Sequence, residues 1–184
     1  MAALSQPSPG APQLTATGRV ILGMIALGKQ TGYDIKQLVD KSTRHFWAAS
    51  YGQIYPELRR LEQQGLVRGR SEPTGGRSRI VYELTRQGEA VLHGWLAADE
   101  EPLYELRDEG MLKLFFSDLA GDEQQLELVR AIRARAQRKL AQLREIEPGA
   151  AQGPLGPQLA LACGIAYGES LLGWCEATEE RLQP

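Results

Sequence analysis

The amino-acid sequence predicts a mainly α-helical protein that contains one small β-hairpin. Apolar residues recur at helical spacing in several segments along the chain, which indicates amphipathic helices. Between Leu66 and Leu84, two short alternating stretches are separated by turn residues, as is typical of a hairpin. Residues 17–98 carry 12 Lys and Arg against 7 Asp and Glu, whereas residues 99–184 carry 9 against 16. This distribution indicates a basic N-terminal part that faces a polyanion and an acidic C-terminal part that does not.

The N-terminal part begins with a segment that lacks apolar periodicity and continues into two short helices. Residues 1–13 are rich in Pro, Ser and Ala and are expected to form a flexible tail. The first helix is expected to end at Gly28. The second runs from Thr31, its capping residue, to about Lys41.

A third helix is expected to begin after Ser50, which forms a capping box with Gln53, and to end at Gly65. At about 100° per residue, its apolar and polar side chains fall on opposite sides. The residues predicted to face the core are Ile54, Leu58, Leu61 and Gly65, and those predicted to face outward are Gly52, Gln53, Pro56, Arg59, Arg60 and Gln63. Pro56 removes a backbone hydrogen bond and is expected to kink the helix or loosen its first turn.

The hairpin is expected to pair residues 66–71 with residues 79–84 around a long, Gly-rich tip. The turn chemistry spans residues 72–78, and the mobile tip is expected to carry Arg77 and Arg79. The hairpin would therefore present two positive charges on a flexible loop.

Three helices followed by a hairpin is the order of a winged helix-turn-helix, and Thr85 can cap the helix that comes next. In that geometry the third helix enters the major groove of DNA by its N-terminal end, and the hairpin contacts the flanking backbone. Glutamine pairs with base edges, tyrosine hydroxyls bond to phosphates or bases, and arginine neutralises phosphate. The predicted DNA-binding residues are therefore Tyr51, Gln53, Tyr55, Arg77 and Arg79.

Four motifs in the first half of the chain together form a recognisable pattern. They are G-Y-D-I at 32–35, F-W at 46–47, Q-I-Y-P-E-L-R-R-L-E-Q-Q-G-L at 53–66 and Y-E-L-T-R-Q-G at 82–88. This pattern resembles the PadR family of transcriptional regulators, in particular its longer branch, which includes the phenolic-acid-responsive repressor. The resemblance implies a dimeric winged-helix repressor whose C-terminal helices form the dimer. It implies DNA contact for Gln53 and Tyr55 by motif and for the hairpin arginines by position only, and Gly52 replaces the Ser or Thr that the family often has.

The C-terminal part is expected to be helical and to form the dimer. An acidic hinge, residues 99–102, precedes an apolar helix that ends near Gly121, and Asp122 is expected to cap the next helix. That long helix is expected to span residues 123–146, with a stripe of Leu126, Val129, Ala136, Leu140 and Leu143 interrupted by Arg133. A loop at 147–157 leads to a last, antiparallel helix at 158–182. Because a single chain cannot bury both faces of these helices, dimerisation is the economical solution.

The predicted organisation is a tail at 1–13, a winged-helix DNA-binding domain at 14–98 and a helical dimerisation domain at 99–184. No catalytic constellation, phosphate-binding glycine loop or metal-ligand spacing occurs in the sequence, so no enzyme, cofactor or metal site is expected. No apolar run approaches the roughly 20 residues that span a bilayer, and no basic leader precedes one. The chain is therefore expected to act in the cytoplasm, without a membrane.

The sequence indicates a sequence-specific DNA-binding regulator, a homodimeric repressor of an inverted-repeat operator, and leaves some features open. A small aromatic effector could release it from DNA by binding a pocket of Phe46, Trp47, Trp95, Phe115 and Trp174, although a core role for these residues is favoured. The arginine-rich side of the long helix is interpreted as a solvated face instead of a DNA-tracking surface. Cys163 and Cys175 are interpreted as buried small residues, with redox sensing as the alternative. The alternative function is a winged-helix protein-interaction module without specific DNA binding.

Overall fold

The structure, a computed structural model, describes residues 14–43, 46–47, 50–74, 77–99 and 107–183. Its elements are α1 (Ala16–Ala26), α2 (Gly32–Lys41), α3 (Tyr51–Gln63), β1 (Val67–Thr74), β2 (Arg77–Leu84), α4 (Arg86–Leu96), α5 (Glu109–Phe115), α6 (Asp122–Ala150) and α7 (Leu155–Leu182). The predicted mainly α-helical fold with one hairpin is confirmed, and the order of α1 to β2 is that of a winged helix. The predicted tail, and the predicted hinge from residue 100, lie outside the described residues.

The chain divides into two compact units, residues 1–100 and 101–184. In the first unit, α1 and α2 both start at threonine caps, and the sequence predicts the second of them, Thr31. The Oγ1 atom of Thr15 accepts a hydrogen bond from the amide of Gly18 at 2.9 Å, and that of Thr31 accepts from the amide of Asp34 at 3.1 Å. After α1, Gly28 has a φ of +83°, a left-handed conformation that favours glycine and ends the helix.

The hydrophobic core of the first unit lies between its first three helices and the base of the hairpin. The side chains with no exposed surface are Ile21, Leu22, Ile35, Val39, Ile54, Leu58, Leu61 and Leu66. Burial of a side chain of this size contributes about 1.5–3 kcal/mol relative to exposure. This core therefore fixes the orientation of α3, which supplies three of the eight side chains.

The hairpin is longer and tighter than predicted. Strands β1 and β2 pair antiparallel from Val67 opposite Leu84 to Thr74 opposite Arg77. The prediction of a long tip at residues 72–78 is wrong, because residues 72–74 continue β1 and residues 77–78 belong to β2. The hairpin thus has eight residues in each strand.

Two features of the hairpin sequence account for this pairing. Gly75 and Gly76, which lie outside the described residues, are the only residues between the strands, and two-residue glycine connections are common in hairpins. Pro73, which lies opposite Ser78, has no N–H to donate. In a two-stranded sheet alternate N–H groups point away from the partner strand, so a proline is tolerated there.

The junction between β1 and α4 is built around the carbonyl group of Leu66. This carbonyl accepts from the amide of Thr85 at 3.1 Å, while the hydroxyl of Thr85 donates to the carbonyl of Gly65 at 2.6 Å. The same hydroxyl accepts from the amide of Gly88 at 3.0 Å and caps α4, as predicted. A Cβ atom on Gly88 would lie only 2.0 Å from the carbonyl oxygen of Leu66. Glycine is therefore required for α4 to approach the start of β1 this closely.

In the second unit, α6 and α7 run antiparallel, since residues early in α6 contact residues late in α7 and the reverse. The buried residues of α6 are Val129, Ile132, Ala136, Leu140 and Leu143. Cβ atoms built on Gly164 and Gly168 of α7 would lie 3.3 and 3.4 Å from Leu143 and Leu140, so small residues allow the close approach.

Several predicted details of the second unit are wrong. Ile132 is buried but was not predicted, whereas Leu126 is only partly buried. The predicted loop at 147–157 is shorter, because α6 continues through Pro148 and α7 starts at Leu155. Pro157 lies in the first turn of α7. A backbone N–H at that position has no partner within the helix, so a proline there removes no helical hydrogen bond. 

The start of this unit also differs from the prediction. The apolar helix predicted to end near Gly121 is split into α5 and a short 3-10 helix, Ser117–Leu119. Gly121, with a φ of +93°, precedes α6, and Asp122 is the first helical residue instead of the cap. Within the described part of the chain, no helix is long and apolar enough to cross a membrane.

The packing of Gly88 makes a prediction about stability. Gly88→Ala should reduce the free energy of unfolding by about 3 kcal/mol or more, because the new methyl group meets backbone that cannot move away. Gly94, in the same helix, is the matched control, since a Cβ atom there would have no neighbour within 4 Å. Gly94→Ala should stabilise the protein by about 0.5–1 kcal/mol. Urea denaturation followed by circular dichroism measures both changes, and equal midpoints for the two variants would contradict the described junction.

Candidate nucleic-acid interface

The N-terminal end of α3 is fixed by the predicted interaction between Ser50 and Gln53. The side-chain oxygen of Gln53 accepts from the amide of Ser50 at 2.9 Å and from its hydroxyl at 3.1 Å. The interaction with Ser50 thus engages the side-chain oxygen of Gln53 but not the side-chain NH₂ group. Gln53 is exposed, so this NH₂ group is placed to donate to an acceptor outside the protein.

The two faces of α3 differ as the sequence predicts, with two exceptions. The inner residues Ile54, Leu58 and Leu61 have no exposed surface. The exposed residues are Gly52, Gln53, Tyr55, Pro56, Arg59, Glu62 and Gln63. Two predictions are wrong. Arg60, predicted to face outward, is only partly exposed, and Gly65, predicted to face the core, is exposed. Pro56 lies inside α3, and the helix continues past it to Gln63.

Tyr55 lies across the start of α2. A Cβ atom on Gly32 would be 2.6 Å from Cε1 of Tyr55, so the absence of a side chain at Gly32 makes room for the ring. Tyr55 nevertheless stays 45% exposed, which leaves part of the side chain available to a ligand. Tyr51 is the first residue of α3, and its side chain lies outside what the structure describes.

A buried carboxylate links α3 to the start of α1, and sequence reasoning missed it. Glu57 is only 9% exposed. Its Oε1 atom accepts from the Thr15 hydroxyl at 2.5 Å and from Nη2 of Arg60 at 2.7 Å, and its Oε2 atom accepts from Nε of Arg60 at 3.0 Å. Burial raises the pKa of Glu57, but the bonds from Arg60 and Thr15 outweigh burial, so its pKa lies below the ordinary value. The three-residue spacing of Glu57 and Arg60 is the only local signal of this pair, because residues three apart are neighbours on a helix, but such spacing does not show burial.

The hairpin arginines lie on a strand and not on a mobile loop, which corrects the prediction. Arg79 of β2 is exposed and forms an ion pair with Glu72 of β1 at 3.3 Å. Arg77 opposes Thr74 at the end of the ladder, and its side chain lies outside what the structure describes. Arg59 of α3, an exposed cation on the same face as Gln53, was not among the predicted contacts although it was predicted to face outward.

The five aromatic residues of the predicted effector pocket are all exposed in the single chain, with exposures from 37% for Trp47 to 79% for Phe115. The favoured interpretation that they form the core is therefore wrong. Phe46, Trp47 and Trp95 belong to the first unit, and Phe115 and Trp174 belong to the second. Within the first unit, the guanidinium of Arg19 lies 5.4 Å from the centre of the Trp95 ring, a cation–π contact that covers one face of this ring.

The arginine-rich side of α6 is largely engaged in ion pairs. Arg130 pairs with Glu127 at 2.8 Å, Arg144 with Glu169 at 2.7 Å, and Arg135 with Asp108 through two bonds of 2.9 and 2.5 Å. Carboxylates of the second unit therefore neutralise much of this side, which favours the interpretation as a structural and solvated face.

The two cysteines differ in their environments. Cys175 is buried, as predicted, and burial raises the pKa of its thiol, which disfavours the reactive thiolate. Cys163 is exposed, so the prediction that it is buried is wrong.

The Glu57 contacts predict a pH-dependent effect on stability. Glu57→Gln should lower the free energy of unfolding by about 1–2 kcal/mol at neutral pH, because charged hydrogen bonds are lost. Since the pKa of Glu57 is lowered in the folded state, its contribution is present above the unfolded pKa and is lost as the pH falls through the folded value. Denaturation at pH 7 and near pH 3 should show a difference from wild type that shrinks in acid. Glu89→Gln, which changes an exposed carboxylate of α4, is the control and should show little difference at either pH.

The chain is similar to known transcriptional regulators over most of its length. Residues 21–94 match the profile of the transcriptional regulator PadR-like family, and residues 106–183 match the profile described as virulence activator alpha C-term. A probable transcriptional regulator of Mycobacterium tuberculosis, Rv1176c, is 30% identical over 185 residues, which cover 91% of this chain and 98% of that protein. The negative transcriptional regulator PadR of Bacillus subtilis is 29% identical over 167 residues, 85% of this chain and 92% of that protein.

The three-dimensional similarity extends over both units. The crystal structure of Bacillus subtilis PadR in complex with operator DNA covers 94% of this chain and 100% of its own, with 25% identity and a TM-score of 0.85. The structure of the same protein in complex with p-coumaric acid covers 89% of this chain and 96% of its own, with 26% identity and a TM-score of 0.74. The relatives are regulators and not enzymes. On these similarities, the chain belongs to the PadR-like family of transcriptional regulators.

Proposed function

We propose that this regulator is a homodimeric repressor that binds an inverted-repeat operator in the cytoplasm. In this proposal residues 14–98 form the DNA-binding domain and residues 99–184 form the dimerisation domain. The helix α3 reads the major groove with Gln53 and Tyr55, while Tyr51, Arg77 and Arg79 contact the backbone.

One observation carries the proposal, namely that α3 buries one face completely and leaves polar side chains on the other. The exposed Gln53 and Tyr55 lie in the first two turns, where a recognition helix meets base edges. The similarity to a protein crystallised with operator DNA extends over 94% of the chain and supports the same interpretation.

The exposed apolar surface of the second unit supports the homodimer. Helix α7 buries Leu161 and Cys175 but exposes Leu159, Tyr167 and Trp174 on its other sides. Further exposed apolar residues of this unit are Met111, Leu112, Phe115, Phe116 and Leu119. Exposed apolar side chains in this number mark an interaction site, and a second copy of the chain related by a two-fold axis would cover them. Such a dimer places two copies of α3 on half-sites about one helical turn, ~10 bp, or a multiple apart.

Selection of bound sequences from a random duplex pool tests the proposal directly. A palindromic consensus with two half-sites is the expected result, and sedimentation of the complex should give two chains for each duplex. Equal affinity for the selected site and for random duplex at moderate salt would contradict the repressor. It would favour the alternative, a protein-interaction module that does not bind DNA specifically, since only a DNA-binding domain shows a steep salt dependence on duplex.

Two variants separate base contact from backbone contact. Gln53→Ala should relax discrimination at one position of each half-site by about 1–3 kcal/mol, whereas Arg77→Ala should weaken binding to all sequences and reduce the salt slope by about 1. Fluorescence anisotropy over a salt series on selected and random duplex measures both effects. Gln63→Ala and Arg86→Ala, which change exposed residues of α3 and α4, are the matched controls and should bind as wild type. Because Gln53 also caps α3, its variant is checked for an unchanged helical spectrum.

We also propose that a small aromatic carboxylic acid releases the protein from DNA. Each unit exposes aromatic side chains that a ligand of this class can contact: Phe46, Trp47 and Trp95 in the first unit, and Phe115 and Trp174 in the second. The structural similarity to a protein crystallised with p-coumaric acid supports this class of effector.

Thermal unfolding in the presence of p-coumaric acid and related acids tests the effector. A ligand at 100 times its Kd stabilises the folded protein by about 2.7 kcal/mol, so a clear rise in the unfolding temperature is expected. The same ligand should weaken binding to the selected duplex, while a non-aromatic carboxylic acid of similar size should do neither. Stabilisation without any loss of DNA affinity would argue against an effector role.

A further inference from the structure

Glu72 lies between two arginines of the hairpin and bonds to both. Its Oε1 atom accepts from Nη2 of Arg70 on the same strand at 3.0 Å, and its Oε2 atom lies 3.3 Å from Nη2 of Arg79 on the partner strand. Glu72 is directly opposite Arg79 in the ladder, and Arg70 is two residues away on the same face of β1. One carboxylate therefore uses both of its oxygens to hold guanidinium groups from both strands.

These ion pairs oppose the binding of the same arginines to phosphate. A guanidinium that already holds a carboxylate must exchange it for a phosphate oxygen, so the new contact yields less free energy than a solvated arginine would give. After the exchange, the carboxylate remains next to the phosphate and repels it. The number of hairpin arginines thus overstates the positive charge that the hairpin presents to DNA.

We propose that Glu72 limits the affinity of the hairpin for the DNA backbone by holding Arg70 and Arg79 in ion pairs. This inference rests on the proposed DNA-binding function and deepens it. It assigns to Glu72 the role of an internal competitor that makes binding to duplex weaker and less salt-dependent than the arginines alone would make it. The effect applies to every duplex sequence, because it acts on phosphate contacts and not on base contacts.

Glu83 provides a comparison within the same hairpin. Its carboxylate is 3.9 Å from Arg70, and 56% of its side chain is exposed, against 32% for Glu72. Glu83 lies on the same face of the sheet, since it opposes Arg68. Removal of either negative charge reduces general repulsion of DNA, but only Glu72 binds two guanidinium groups at short distance. The difference between the two variants therefore isolates the ion-pair effect from the charge effect.

The opposite role is also physically possible and gives an effect of opposite sign. Glu72 could hold both arginines in the orientation that phosphate needs, in which case its removal would weaken binding because the side chains lose their order. The sign of the change in affinity therefore decides between competition and preorganisation.

The experiment uses the full chain with Glu72→Gln, Glu83→Gln, Arg79→Gln and the double variant of Glu72 and Arg79. Binding is measured by fluorescence anisotropy on the selected duplex and on random duplex across a salt series. Glu72→Gln should tighten binding to both duplexes by about five- to ten-fold near 0.1 M salt and steepen the slope against log salt by about 1, the change expected for one added phosphate contact. Glu83→Gln should give a clearly smaller change in both quantities. In the Arg79→Gln background the effect of Glu72→Gln should shrink, because one of its two partners is gone.

The outcomes separate this inference from the proposed function. If the wild type shows no salt-dependent binding to duplex, the proposed function fails and this inference fails with it. If the wild type binds but Glu72→Gln and Glu83→Gln have equal effects, or Glu72→Gln weakens binding, only this inference is overturned. All four variants should unfold at the temperature of the wild type, since exposed ion pairs contribute little to stability.

Discussion

The complete burial of one face of α3 is the constraint on which the rest of the first unit depends. Ile54, Leu58 and Leu61 have no exposed surface, so a rotation of α3 about its axis would expose apolar side chains worth about 1.5–3 kcal/mol each. The core therefore sets the direction in which the N-terminal end of α3 presents Gln53 and Tyr55. The bond between Thr15 and Glu57 and the close approach of Tyr55 to Gly32 restrict the helix further at points outside the apolar core.

The second unit buries its apolar side chains only in part. The glycines of α7 let α6 approach closely on one side, and Val129, Ile132 and Cys175 form a small buried cluster there. The other sides of α7, and much of α5, keep apolar side chains in contact with water. A unit of this kind gains stability when a second copy covers the exposed surface. In the proposed dimer, the first unit thus fixes the direction of each recognition helix and the second fixes the spacing between the two.

The sequence predicted those features that depend on a few neighbouring residues. The caps at Thr31 and Thr85 and the apolar residues of the inner face of α3 follow from local spacing, and the structure confirms them. The length of the hairpin was missed because polar residues such as Glu72 look like a turn until a partner strand pairs with them. The burial of Glu57 was missed because it depends on Thr15, which is distant in sequence. The exposure of the aromatic residues could not be predicted either, since an apolar residue in a sequence does not show whether its own chain covers it.

The positive charge that the first unit presents to DNA also differs from the charge counted in its sequence. The sequence gives residues 17–98 an excess of five positive charges, but the structure shows that several of these cations already have partners inside the unit. Arg60 is bound to Glu57, Lys36 to Asp40, and Arg79 to Glu72. A cation that is paired within the protein contributes less to a phosphate contact than one that is surrounded by water, because the first contact must be broken to form the second. The charge available to a DNA backbone is therefore smaller than the count of residues suggests, and it depends as much on the position of the carboxylates as on that of the arginines.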